Sequence, residues 1–261
     1  MKHDQLKTKA QDHPLALFVS DIHLSPDIPK TTHCFLAFLE NYAIHSERLY
    51  LLGDLFEYWA GDDAISEPYN QVIVNALRDV SRHGTNIYWI AGNRDFLVSK
   101  DFFDATGVTP LHDGDVIQIS DKRIVLAHGD AQCTDDIDYI AFRKDVRRPE
   151  WQKNFLALPL AQRQSIIAGL RKNSQMEQKN KSAEIMDVNE SAIADLFSTS
   201  ATKLMIHGHT HRPAMHQAGE TIRYVLPDWD CETTKYRGGW ISISKTGNIL
   251  RHDINGEIQN N

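Results

Sequence analysis

The chain places acids, an amide and imidazoles in five short fragments, and each fragment follows an apolar run. The candidate metal ligands are Asp21, His23, Asp54, Asn93, His128, His209 and His211. Oxygen and nitrogen ligands without thiolates are typical of Mn²⁺, Fe²⁺ or Zn²⁺ sites. A set of this size is too large for one ion and fits two ions that share a bridging carboxylate. Two ions roughly 3.5–4 Å apart activate a water for in-line displacement at phosphorus, which predicts hydrolysis of a phosphate ester or anhydride.

These fragments must be held by strands that end at a common edge of a sheet. Apolar runs at 15–20, 49–52, 86–91, 123–127 and 203–206 predict strands that each end at a candidate ligand. Beyond the first run, strand alternation predicts that Asp21 and His23 point to the same side. Helical spacing of apolar residues predicts helices over 31–45 and 69–83, between the first three strands. The pattern indicates an α/β fold.

Residues 141–197 form a different kind of segment, which predicts helices and no strand. Between Arg143 and Lys181 there are ten basic residues and three acids, a local balance of +7 in a chain whose net charge is −7. The segment also contains many apolar residues, namely Trp151, Phe155, Leu156, Leu158, Leu160, Ile166, Ile167 and Leu170. We interpret it as a helical lid inserted between core segments 1–140 and 198–261, above a site for an anionic and partly apolar substrate. The alternative is a helical pair packed on the core with a solvated charged face.

Composition excludes several classes of protein. At 261 residues and 41% hydrophobic content the chain fits one large domain, and its negative net charge argues against general nucleic-acid binding. Cys34, Cys133 and Cys231 form no CxxC pair, which argues against a disulfide framework or a structural zinc site and fits a reducing compartment. The polar N-terminal residues contain no signal-type apolar region, and no apolar run is long enough for a membrane span. We therefore expect a soluble or peripherally membrane-bound protein.

The fragments Asp-x-His, Gly-Asp, Gly-Asn-Arg-Asp, His-Gly-Asp and Gly-His-x-His resemble the motifs of the calcineurin-like metallophosphoesterases over almost the whole chain. Most members have His after the Asn of the third motif, where this chain has Arg94. Longer fragments at 53–63, 132–136, 186–189 and 207–213 resemble the UDP-2,3-diacylglucosamine hydrolase branch of lipid A biosynthesis. This resemblance implies a four-layer αββα sandwich with a helical lid. It also implies Mn²⁺-dependent attack on the α-phosphorus of UDP-2,3-diacylglucosamine, giving UMP and 2,3-diacylglucosamine 1-phosphate.

The resemblance further implies a role for each site residue. One Mn²⁺ would be bound by Asp21, His23 and His211, the second by Asn93, His128 and His209, with Asp54 bridging the two. Arg94 would bind the diphosphate and neutralise charge in the transition state, so that Asp54 and Arg94 are the catalytic candidates. The implied substrate contacts are Asn93, Arg94, Asp136, Tyr139, Arg171, Ser174, Gln178, Lys181 and His209, where Gln178 replaces a family Asn. The implied setting is the cytoplasmic face of the inner membrane, with peripheral binding as a monomer.

Two other functions are compatible with parts of this pattern. The same ligands would serve a nuclease or another nucleotide phosphodiesterase, but a nucleic-acid cleft is expected to interleave aromatic with basic residues, and the lid is mainly aliphatic and basic. A protein-binding scaffold with the same fold would not need every ligand. In this chain no ligand position is substituted.

Overall fold

The structure is a computed structural model that describes residues 14–178, 185 and 187–259. The described residues form twelve strands: β1 Ala16–Val19, β2 Arg48–Leu52, β3 Asn86–Ile90, β4 Thr109–Pro110, β5 Val116–Ile119, β6 Lys122–Leu126, β7 Leu204–His207, β8 Ala214–Ala218, β9 Thr221–Val225, β10 Gly239–Ile243, β11 Ile249–Asp253 and β12 Ile258–Gln259. They also form seven α-helices: α1 Pro29–Asn41, α2 Pro68–Arg82, α3 Lys100–Thr106, α4 Ile137–Val146, α5 Pro149–Leu156, α6 Leu160–Gln178 and α7 Glu190–Ser200.

The strands build two sheets, one of seven strands in the order β12-β11-β10-β1-β2-β3-β4 and one of five in the order β5-β6-β7-β9-β8. Strands β1, β2 and β3 run parallel, as do β6, β7 and β9, so their carboxyl ends share an edge within each sheet. The five strands that were predicted to deliver ligands are all present. The sequence did not predict β4, whose two residues include a proline at the edge of the first sheet.

Alternation along the strands sorts apolar side chains into separate cores. In β1, Phe18 faces the core between the two sheets, whereas Leu17 and Val19 face helices α1 and α2. Strand β2 repeats this pattern, with Leu52 facing inward and Leu51 facing the helices. Both faces of these strands are buried, which is why they appear in the sequence as continuous apolar runs.

A third core lies on the outer face of the second sheet, where Ile193 and Phe197 of α7 pack on Val125 and Met205. The layers are therefore helices, sheet, sheet and helix. This arrangement confirms the predicted αββα sandwich.

Helices α4, α5 and α6 lie over the edge where the ligand-bearing strands end, and their side chains line a cavity there. The predicted lid, residues 141–197, starts within α4 and ends within α7. None of the helices in the described parts of the chain is both long and apolar enough to cross a membrane.

Candidate active site

All seven candidate ligands follow the carboxyl ends of β1, β2, β3, β6 and β7, and the fold brings them together. Ligand atoms of Asp21, His23 and His211 lie within 4.8 Å of one another, as do those of Asp21, Asp54 and His128. Parallel strands place their ends on one side of a sheet, and the two stacked sheets face each other at this edge. The predicted convergence of the fragments is thus present in the structure.

The backbone at five of these seven ligands is left-handed, a feature that the sequence did not predict. Positive φ angles of 53° to 66° occur at Asp21, His23, Asp54, His209 and His211. Such angles cost a non-glycine residue roughly 1–2 kcal/mol and cluster at functional sites. Asp21 and His23 do converge, but the predicted reason was wrong. Strand alternation requires extended backbone, and here the chain turns at each of the two residues.

Asp21, His23 and His211 form the first candidate metal site. Nε2 of His23 lies 3.3 Å from Nε2 of His211, which lies 3.5 Å from Oδ1 of Asp21. This Oδ1 atom is buried and makes no hydrogen bond, whereas Oδ2 accepts from the backbone N–H of His209 at 2.8 Å. A buried carboxylate oxygen without a donor beside two imidazole nitrogens is a donor set that fits a divalent cation.

The second candidate site is centred on the side-chain oxygen of Asn93. Oδ1 of Asn93 lies 2.9 Å from both Nε2 of His128 and Nδ1 of His209. Asp54 lies between the two sites, with Oδ1 3.7 Å from Nε2 of His128 and Oδ2 3.9 Å from Nδ1 of His23. One oxygen of Asp54 lies near a ligand residue of each site, and its carboxylate also lies within 4.8 Å of a ligand oxygen of Asp21.

Outer contacts orient the imidazoles toward the sites. Nδ1 of His128 donates to the carbonyl oxygen of Leu52 at 2.8 Å, which leaves Nε2 for an ion. Nδ1 of His211 lies 3.5 Å from a carboxylate oxygen of Asp228, a residue that the sequence analysis missed. Its only sequence signal is its position shortly after the end of β9.

Close packing explains a glycine of the motifs. A Cβ atom on Gly92 would lie 2.1 Å from Oδ1 of Asp54, well inside van der Waals contact. Only glycine lets the backbone after β3 approach this carboxylate so closely.

Burial and neighbouring charges set the protonation of the ligands. Burial lowers the pKa of His209 to about 4, so its ring is neutral at pH 7 and able to ligate. Burial also opposes protonation of His128, but the carboxylates of Asp54, Asp21 and Asp130 raise its pKa to about 9. An ion that binds His128 at neutral pH must therefore displace a proton. Burial tends to raise the pKa of Asp21, but its contact with His211 and the charge of His128 hold that pKa well below the usual range.

Arg94 lies beside the candidate sites. Its backbone N–H donates to Oδ1 of Asp54 at 2.9 Å, and its Nε atom lies 3.8 Å from Oδ2 of Asp54. Its Nη1 atom donates to Oε1 of Glu57 at 3.0 Å. Glu57 lies within the fragment 53–63 that carried the resemblance, yet the sequence analysis assigned it no role.

A cavity of about 640 Å³ extends from the candidate ligands to the lid. Its polar end contains His23, Asp54, Asn93, His209 and His211. Its apolar end is lined by Trp59, Phe96, Trp151, Phe155, Ile167 and Leu170, with the lid supplying the last four. The predicted substrate contacts that line it are Asn93, Arg94, Asp136, Tyr139, Arg171 and His209.

The remaining predicted contacts lie farther along the lid. Ser174 and Gln178 are part of α6, but the structure does not describe the positions of their side chains. Lys181 lies outside the described residues.

Polar contacts fix α4 to the core beside the second site. The hydroxyl of Tyr139 donates to Oδ2 of Asp130 at 2.5 Å, and Nε of Arg143 donates to the same oxygen at 2.8 Å. The ring of Tyr139 stacks beside His209, with centroids 6.2 Å apart. Because the hydroxyl is engaged, this tyrosine presents its ring to the cavity. Asp130 is the acid of the His-Gly-Asp motif, for which the sequence predicted no role. In the structure it accepts hydrogen bonds from Tyr139 and Arg143 and so anchors α4.

Comparison with known proteins identifies the class that this fold and site define. The sequence profile described as calcineurin-like phosphoesterase matches residues 15–213. The chain belongs to this family, and the predicted resemblance is confirmed.

Two relatives refine the comparison. A protein of Yersinia enterocolitica serotype O:8 / biotype 1B named UDP-2,3-diacylglucosamine hydrolase is 46% identical over 220 residues, which cover 83% of this chain and 91% of that protein. A protein of the same name from Yersinia pseudotuberculosis serotype O:1b is 44% identical over the same shares of the two chains.

Among solved structures, Vps29 of Entamoeba histolytica complexed with Zn²⁺ aligns over 94% of this chain and 95% of its own, with a TM-score of 0.47 and 13% identity.

Proposed function

We propose that the chain hydrolyses the diphosphate of UDP-2,3-diacylglucosamine at its α-phosphorus, giving UMP and 2,3-diacylglucosamine 1-phosphate in lipid A biosynthesis. The observation that carries the proposal is the single cavity that joins the clustered metal ligands to an apolar chamber. A diphosphate fits its polar end, and acyl chains fit the chamber made by the lid. The two Yersinia relatives named for this activity support the same substrate.

Different side chains of the site would bind the ions and the diphosphate in the proposed reaction. One ion would be held by Asp21, His23 and His211, and the other by Asn93, His128 and His209. Asp54 would contact both ions. When bound, the two ions would activate a water and neutralise charge at phosphorus. Arg94 would bind the diphosphate and stabilise the charge that develops in the transition state, because its guanidinium lies on the cavity wall beside Asp54. Arg171, from α6, would add a second cation to the same wall.

We infer that both ions are Mn²⁺, the metal that the family resemblance implies, and the donor set of carboxylate, amide and imidazole groups without a thiolate is compatible with it. We infer peripheral binding at the cytoplasmic face of the inner membrane, where a lipid-linked UDP-sugar would be met. The exposed apolar side chains Phe142, Ile166 and Leu170 and the positive charge of the lid support this inference. All seven candidate ligands come from one chain, which fits a monomer.

The test is release of UMP from UDP-2,3-diacylglucosamine by metal-stripped protein, with and without added Mn²⁺. A simple aryl phosphodiester serves as the control substrate. We expect Mn²⁺-dependent UMP release with little turnover of the control. Turnover of the control alone would leave a two-metal phosphoesterase standing and would refute the lipid-linked substrate.

The same assay tests the bridging role of Asp54. Asp54→Ala should abolish turnover, because it removes the carboxylate that lies between the ligands of the two sites. Near-normal activity at matched metal content would contradict this role.

A further inference from the structure

Glu57 joins three parts of the site that are far apart in the sequence. The loop after β2 is fastened to the loop after β1, because the N–H of Glu57 donates to the carbonyl oxygen of Leu24 at 3.0 Å. This contact places the Glu57 side chain next to His23 on the cavity wall, where it is only 16% exposed. A carboxylate so little exposed requires partners of opposite charge or hydrogen-bond donors.

One oxygen of Glu57 faces a metal ligand. Oε2 lies 3.2 Å from Nδ1 of His23, whereas the nearest oxygen of Asp54 lies 3.9 Å from the same nitrogen. Nδ1 of His23 is buried and makes no hydrogen bond, while Nε2 points toward His211 and the first candidate metal site. A small rotation of either side chain would let Nδ1–H donate to Oε2. That bond would fix the tautomer in which Nε2 is free to ligate and would raise its basicity.

The other oxygen of Glu57 binds two arginines that come from different elements. Nη1 of Arg94, from the loop after β3, donates to Oε1 at 3.0 Å. Nη2 of Arg171, from the lid helix α6, forms an ion pair with the same oxygen. Two guanidinium groups on one wall repel each other, and the shared carboxylate holds both of them facing the cavity.

We propose that Glu57 is a positioning residue that orders a metal ligand and both phosphate-binding arginines at once. Oε2 orients His23, and Oε1 holds Arg94 together with Arg171 of the lid. The arginine half of this proposal rests on the proposed function, whereas the His23 half concerns metal binding alone. The division between the two oxygens makes the halves separable by mutation.

Glu57→Ala and Glu57→Gln distinguish the two halves. Alanine removes both contacts, whereas the glutamine amide oxygen can still accept from His23 while its neutral amide no longer attracts the arginines. Glu67→Gln is a matched control, because Glu67 also ties α6 to the core, through Gln164 at 2.8 Å, but lies outside the cavity lining.

The first measurement is the Mn²⁺ retained per chain at graded free Mn²⁺, by equilibrium dialysis and atomic emission. Glu57→Ala should lower the affinity for one of the two ions by roughly 10–100-fold, which is the usual effect of removing an outer partner of a metal-ligating histidine. Glu57→Gln and Glu67→Gln should keep affinities close to wild type. Wild-type affinity for both ions in Glu57→Ala would overturn the His23 half. If alanine lowers the folded fraction, Glu57→Leu replaces it and keeps the side-chain volume.

The second measurement is turnover at saturating Mn²⁺. Glu57→Gln should lower kcat about tenfold or more, because misplaced arginines no longer meet the transition state. Glu67→Gln should leave kcat unchanged. Wild-type kcat in Glu57→Gln would overturn the arginine half. If the wild-type protein binds two ions but does not hydrolyse the lipid substrate, the proposed function fails, and the metal titration still decides the role of Glu57.

Discussion

Replacing Arg94 with alanine tests the central electrostatic claim about this site. The Arg94 side chain is 25% exposed, and its Nε atom lies 3.8 Å from Oδ2 of Asp54 on the wall of the cavity. Removing one positioned donor to developing charge costs about 10²–10³-fold in kcat, or about 2.7–4 kcal/mol. Because the group is partly solvated, we expect the lower end of this range, about 10²-fold.

The backbone explains why metal binding should survive this change. The N–H of residue 94, which alanine keeps, donates to Oδ1 of Asp54 at 2.9 Å. The bridging carboxylate therefore retains its orientation, and the Mn²⁺ content of Arg94→Ala should match that of the wild type. Arg94→Lys keeps the positive charge but loses the planar fork, so its kcat should lie between those of the wild type and Arg94→Ala.

The assay is steady-state UMP release at saturating Mn²⁺, with the metal content of each variant measured in parallel. A fall in kcat with unchanged metal content supports a role in the transition state. A change confined to KM would make Arg94 a ground-state binding residue and would refute the reasoning.

Three further predictions follow from the described contacts. Arg163, in α6, is 2% exposed and pairs with Asp63. Arg163→Ala should therefore lower the free energy of unfolding by about 1–3 kcal/mol in denaturant melts. As a control, Arg148→Ala removes an exposed ion pair and should change the free energy of unfolding by less than about 0.5 kcal/mol. Burial raises the pKa of Cys133 and of Cys231 to about 12. At pH 8 both thiols of the folded protein should therefore be alkylated far more slowly than in urea, as measured by peptide mass spectrometry. The alkylation rates should rise with pH as the thiolate fraction grows. Added Mn²⁺ should raise Tm in proportion to the logarithm of its concentration once the sites are saturated, and a Tm independent of Mn²⁺ would contradict a preformed metal site.

Local sequence patterns were sufficient to locate the strands that deliver the ligands. Strands β1 and β2 are buried on both faces, so they appear as short apolar runs that end in a polar residue. This periodicity depends only on the backbone repeat and on burial. Helices α5 and α6 lie within the segment 141–197, which the sequence predicted to be helical.

The outer partners of the ligands could not be predicted in this way. Glu57 meets Arg171 across 114 positions of sequence, and Asp228 meets His211 from a loop beyond β9. Neither acid differs in local pattern from an ordinary surface acid. Their roles depend on how loops and α6 pack over the edge of the two sheets.

The sequence by itself determined the set of ligand types and the strand ends that carry them, because both follow from residue identity and short-range periodicity. The tertiary structure decided how these ligands converge. The left-handed backbone at Asp21 and His23 replaces the strand alternation expected there, and the N–H groups of Ile22 and His23 both donate to the carbonyl oxygen of Asp54, from a loop distant in sequence. The tertiary structure also decided that the apolar lid and the ligands share one cavity, because a shared cavity depends on packing between segments that are distant in sequence.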